Sequence, residues 1–248
     1  MDLLQSLFRW IHVVAGIVWI GHLYFFNFVN AQLAPTMDAE TKKKVVPELM
    51  PRALYWFRWG AAYTWVTGVL LLLIVYYHGG IMFDLGGGWG PLALVMIALV
   101  FGAPFIYDAL YKTALKDPRT GFVGGLVLAA VMLFLMAVVA GFSFRAYAIH
   151  LGTMFGTIMA FNVWFRIWPA QQQIIRATKE GQAPDAALVA MAGTRSKHNT
   201  YMSVPLVYMM VAQHAVWSAN WFTLAVVVLL GWGAVYWLYG KSKTVKGF

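Results

Sequence analysis

The chain has no cysteine. That excludes disulfides, thiolate metal sites, iron–sulfur clusters and covalently attached c-type haem. Any haem must be held by non-covalent ligation, chiefly by histidine. Acidic residues are also scarce, nine Asp and Glu against eighteen Lys and Arg, and charged residues make up only 11% of the sequence. A water-soluble surface cannot be built from so few charges. The excess of basic residues does not signal nucleic-acid binding either, because it falls in short segments between apolar runs rather than on one face or tail.

What is present is apolar sequence in long runs. Hydrophobic residues reach 61% of 248, and several runs exceed the roughly 20 residues needed to cross the hydrocarbon of a bilayer. We expect an all-α, polytopic transmembrane helical bundle in one domain of about seven spans, near residues 3–29, 54–77, 91–115, 121–144, 146–168, 199–218 and 221–239. The first run is longer than a signal-peptide core and lacks an early lysine, so it is expected to stay as a span. Fourteen of the eighteen Lys and Arg residues lie after spans one, three, five and seven, leaving Arg9, Arg58, Arg145 and Arg166 within or at the ends of spans. The positive-inside rule then places the N-terminus outside and the C-terminus in the cytoplasm.

Six histidines remain to be placed. The stretch 195–214, RSKHNTYMSVPLVYMMVAQH, is expected to run as one helix from His198 near one membrane face to His214 near the other. Threading the spans puts His12, His150 and His214 at similar outer depth, with Arg9 and Arg145 near the outer face. Imidazoles on facing helices ligate haem b axially, and arginines pair with propionates. The expected cofactor is therefore haem b, with His12, His150 and His214 as candidate iron ligands and Arg9 and Arg145 as propionate partners. Gly152, Gly156 and Ala160 form a small-residue stripe beside His150. It suits either a flat macrocycle or plain helix packing, the commoner use. Histidines hydrogen-bonded across helix interfaces, without any cofactor, are the competing reading.

Three motifs carry a family resemblance: FRWIHVVAGIVWIG at 8–21, HLGTMFGTIMAFNVWFRIWPAQQ at 150–172, and RSKHNTYMSVPLVYMMVAQH at 195–214. The chain resembles the N-terminal membrane domain of the bacterial membrane-bound urate oxidase (urate hydroxylase) family. His12, His150, His198 and His214 stand at the matching motif positions. The resemblance implies a urate-oxidising membrane protein of the bacterial cytoplasmic membrane, active in purine degradation. In the family a cytochrome c domain follows the membrane domain. These 248 residues hold no CxxCH motif, so electrons are expected to pass to a separate cytochrome c or another respiratory-chain acceptor. His22 stands where the family pattern suggests a small residue. Urate is anionic at neutral pH, so Arg58, Arg166, His198 and Asn199, toward the inner side, are the candidate substrate-binding and catalytic residues. A non-catalytic haem-b subunit that relays electrons in a respiratory assembly is the alternative.

Overall fold

A computed structural model describes residues 2–84 and 87–246. Among these residues the chain is helical throughout, with no β-strand beyond one isolated bridge between Phe83 and Phe142. The helices are α1 (Asp2–Tyr24), α2 (Ala39–Leu71), α3 (Pro91–Leu110), α4 (Pro118–Phe134), α5 (Phe144–Asn162), α6 (Trp168–Lys179), α7 (Ala186–Val211) and α8 (Trp221–Ser242). Short π-helical turns, Phe25–Asn30, Leu72–Tyr77, Leu135–Val139 and Val163–Ile167, continue α1, α2, α4 and α5. Six helical segments are long and apolar enough to cross a membrane: Asp2–Thr36, Ala39–Tyr77, Pro91–Leu110, Pro118–Val139, Phe144–Lys179 and Trp221–Ser242. The protein is thus a multi-pass, all-α membrane protein. The remaining expected span corresponds to α7, which has 26 residues but carries Arg195, Lys197, His198 and Asn199 near its middle.

Local chemistry sets the helix ends. Asp117 caps α4, its carboxylate accepting from the backbone N–H of Arg119 and Thr120, with Pro118 at the first helical position. That satisfies two of the donors a helix start leaves orphaned. Asn220 caps α8 similarly, accepting from Phe222 N–H at 2.8 Å.

Two expectations need correction. The segments around 39–53 and 169–198, expected as polar loops, are largely helical. Hydropathy stops a span where charge begins, whereas Ala, Glu, Lys, Gln and Arg sustain a helix well beyond the bilayer. The 39 residues Ala39–Tyr77 would extend about 58 Å at the α-helical rise, far more than a bilayer core. The second correction concerns 195–214. The helix ends at Val211, and His214 sits on a following 3₁₀ turn, Ala212–His214. The chain must reverse there to reach the Asn220 cap, so residues 212–220 leave the helix despite their apolar composition.

The chain divides into two compact units. The first contains residues 68–158 and 202–233, and the second 2–67, 159–201 and the described residues from 234 on. In the first, Gly231 lies against Pro205, where a Cβ would come within 3.0 Å of the proline Cδ. Leu133, Met136, Leu151, Met209, Leu224 and Val228 are fully buried in it. In the second, Gly60 lets α2 approach α1 closely. A Cβ there would stand 3.0 Å from the Trp19 backbone nitrogen, and backbone cannot swing aside as a side chain can.

Candidate functional site

In the first unit the polar centre is His150. Ser143 opens α5, its hydroxyl donating to the Ile81 carbonyl at 2.8 Å and accepting from Ala146 N–H at 3.2 Å. Ser143 N–H also donates to the Met82 carbonyl. These bonds tie the loop after Tyr77 to the first turn of the helix that presents His150. His150 is fully buried. Its Nδ1 lies 2.7 Å from the Ala146 carbonyl. A carbonyl only accepts, so Nδ1 carries the proton and the neutral ring keeps its lone pair on Nε2. Tyr77 donates its hydroxyl to that lone pair at 2.9 Å. Phe142 and Tyr76 flank the imidazole, with ring centroids 5.3 and 6.3 Å away.

A ring with Nδ1–H fixed by a backbone carbonyl and Nε2 left basic is what metal-ligating histidines present. By its donor chemistry the His150 Nε2 could hold a metal only if the Tyr77 hydroxyl that now occupies it were displaced. The glycine stripe does not supply the room. A Cβ on Gly152 would lie 3.1 Å from both Met209 Cβ and Met210 Cε, and one on Gly156 would lie 3.4 Å from Leu206 Cδ1. The stripe serves helix packing, the commoner of its two readings. His214 and Arg145, also in this unit, are exposed.

His12 and Arg9 belong to the second unit. Arg9 is exposed and His12 half-buried. The Thr67 hydroxyl donates to the Tyr63 carbonyl at 2.6 Å, so its oxygen accepts from His12 Nδ1 at 3.2 Å. His12 thus also keeps its Nε2 lone pair. His22 repeats the pattern through the Val18 carbonyl at 2.7 Å. Among the described residues no three His, Cys, Asp or Glu side chains converge as a metal-binding group.

The second unit also holds a buried polar knot. Asn162 donates to the Asn199 amide oxygen at 2.8 Å, and Asn199 donates to the Met159 carbonyl at 3.0 Å. Asn27 donates to the Ser196 hydroxyl at 2.8 Å and accepts from Tyr239 at 2.8 Å. Arg195 and Thr200 on α7 are buried as well. Of the four inner candidates, Asn199 lies in this knot, and His198, next to it in sequence, is half-buried. Arg166 packs against Phe161 and donates to the Phe165 carbonyl at 3.2 Å. Arg58 stacks on Trp168, its guanidinium carbon 4.0 Å from the ring centroid.

Sequence reasoning passed over Tyr77, Asn27 and Asn162. A signal existed for the asparagines, since Asn27 and Asn162 interrupt the aromatic runs FFNFV and AFNVWF. An amide inside such a run must find a partner within the protein.

No curated protein and no solved structure matches the chain. A family model described as "Urate oxidase N-terminal" matches residues 1–45 and 39–247. That is the family to which the three motifs pointed, and the match extends over nearly the whole sequence. The chain belongs to the urate oxidase N-terminal family.

Proposed function

We propose that this protein is a haem-b membrane oxidoreductase that oxidises urate or a closely related anion and passes the electrons to a separate carrier such as a cytochrome c. The family match over nearly the whole chain carries the reading. The placement proposed is the bacterial cytoplasmic membrane, with the N-terminus outside. Haem b, when bound, would supply a one-electron relay between the substrate and the carrier, held without the thiolate ligands or thioether links that a chain with no cysteine cannot make.

The chain's own residues have definite tasks in this reading. Ala146 holds the His150 ring by its Nδ1–H, so Nε2 is the atom offered to iron. His12 and His214 are the candidates for a second ligand, and exposed Arg9 and Arg145 for the propionates. Asn199 and Arg166, with His198, offer amide donors and positive charge to a planar anion. Such groups bind an anion strongly only where water is excluded.

The test is an anaerobic titration of purified protein with urate, followed by its absorption spectrum. Urate should reduce the haem, and added oxidised cytochrome c should reoxidise it. His150→Ala should lose haem, and Arg166→Gln should raise the urate concentration needed for half-reduction about tenfold, the loss expected for one charge-assisted hydrogen bond. Haem that urate fails to reduce would instead support the electron-relay subunit.

A further inference from the structure

Arg58, a candidate anion-binding residue on its charge alone, has an environment distinct from those of Arg166, His198 and Asn199. It is half-buried on α2, and its guanidinium lies 4.0 Å over Trp168, with the rings of Tyr55 and Trp164 at 5.7 and 5.9 Å. Trp164 is fixed in turn, donating its indole N–H to the Arg58 carbonyl at 3.1 Å. The Arg58 Nε is buried without a hydrogen-bond partner. No carboxylate pairs with the side chain among the described residues. The aromatic cage fixes the cation without neutralising it, because a ring face attracts positive charge but carries none. Arg58 is only half-buried, so its Nη groups are left to water or to an anion from outside the protein.

Its level in the bilayer names the anion. Six residues earlier on the same helix, Arg52 and Glu48 form an ion pair with side chains 71% and 72% exposed, as in water. Arg58 lies roughly 9 Å further along, a distance comparable to the headgroup region beside the hydrocarbon core. Tyr55, Trp56 and Trp59 around it are exposed at 47%, 57% and 38%, as interfacial aromatics are. The abundant anion at that level is the phospholipid phosphate.

A groove of about 480 Å³ lies beside the cage and shares Tyr55 with it. Tyr55 forms part of both the Arg58 cage and the groove wall, and Trp59, another aromatic of that wall, meets Trp164 edge-on at 5.6 Å. Ile11, Val14, Ala15 and Val18 of α1 make the apolar opposite side. A charged end joined to an apolar trough matches one amphiphile.

We propose that Arg58, Trp168, Trp164 and Tyr55 bind the phosphate of one phospholipid, whose acyl chain lies in the groove between α1 and α2. The Nη groups donate to phosphate oxygens in the paired geometry guanidinium favours, and Trp168 sets the plane from which they do so. The site is independent of the haem reading, and neither proposal's failure touches the other.

The test is native mass spectrometry of the protein taken from bilayers of defined phospholipid into mild detergent. Wild-type protein should retain one phospholipid through washing. Arg58→Gln should lower its occupancy about tenfold, the loss expected for charge-assisted hydrogen bonds. Arg58→Lys, which keeps the charge and serves if the glutamine variant does not fold, should lower it as well, because lysine cannot donate in a planar pair. Inorganic phosphate or urate at millimolar concentration should leave the bound lipid in place. Unchanged lipid occupancy in both variants would overturn the proposal. Displacement by phosphate would make the site one for free anions, and displacement by urate would make it part of the substrate site. Either displacement overturns the phospholipid assignment.

Discussion

Tyr77→Phe isolates the balance between a hydrogen bond and a ligand at His150. The phenol donates to Nε2 at 2.9 Å while Nδ1 is occupied by the Ala146 carbonyl. A haem iron would compete with the phenol for one lone pair, so the protein must break the Tyr77 bond before His150 binds iron. A neutral hydrogen bond contributes about 1 kcal/mol net, and interhelical bonds in membranes average ~0.6 kcal/mol. Deleting the hydroxyl should therefore raise haem affinity about three- to fivefold, the factor by which the competing state is depopulated. The ring remains as phenylalanine, so contact with Trp89, at 5.7 Å between ring centroids, is retained. Without haem the same substitution should destabilise the fold by the same ~0.6–1 kcal/mol, because the loaded state has already given up that bond. The assay is haem titration of apo-protein, read by the Soret band, beside thermal unfolding with and without haem. Tyr77→Phe should unfold earlier as apo-protein and bind haem more tightly, while His150→Ala should not load. A haem affinity that falls in Tyr77→Phe as far as in His150→Ala would refute the competition. Tyr77 would then be required for the site, with Nε2 serving as its hydrogen-bond acceptor.

Two further predictions concern the membrane frame. Asn199→Leu removes the acceptor of Asn162 and the donor to Met159 O, and should destabilise by about 2 kcal/mol through stranded buried groups. Asn162→Leu/Asn199→Leu should cost less than the sum of the single changes, because the pair is removed together. Strict additivity in a denaturation cycle would show that the two amides do not interact. For topology, reporter fusions after Gly90 and after the C-terminal residue should report opposite sides of the membrane, and the same side from both would sink the proposed orientation.

The membrane class was legible because bilayer thickness imposes a length that composition alone reveals. The spans around α3, α4 and α8 follow the apolar runs closely. Helix ends beyond the bilayer were not legible. Lys42–Lys44 and Arg176–Lys179 mark where apolarity stops, and the helix continues through them because backbone hydrogen bonding needs no apolar side chain. His150 stood out in the sequence as a candidate haem ligand, but the residue that its ring meets, Tyr77, is 73 residues away in sequence. Asn162 and Asn199 are 37 apart, and Asn27 and Tyr239 are 212 apart. Hydropathy places a residue at a depth, but not on a helix face opposite a particular neighbour. That is why shared depth on three spans linked His214 to His150, although the former is exposed on a turn and the latter has no exposed surface.

The three histidines with fixed Nδ1 give the sequence pattern a physical meaning. His22 and His150 each donate to the carbonyl four residues before, and His12 donates to a threonine hydroxyl already committed as a donor elsewhere. In a helix the i−4 carbonyl is always nearby, so a histidine facing the apolar interior can satisfy Nδ1 locally, as Ser and Thr do. The remaining nitrogen is then a base with one lone pair. In hydrocarbon it needs a hydroxyl, a metal or a proton with a counter-anion, and the shortage of acidic residues disfavours the last. At His150 the hydroxyl is supplied by Tyr77. A metal ligand at that buried position would have to displace the phenol, so the proposed haem role of His150 turns on a single phenolic oxygen.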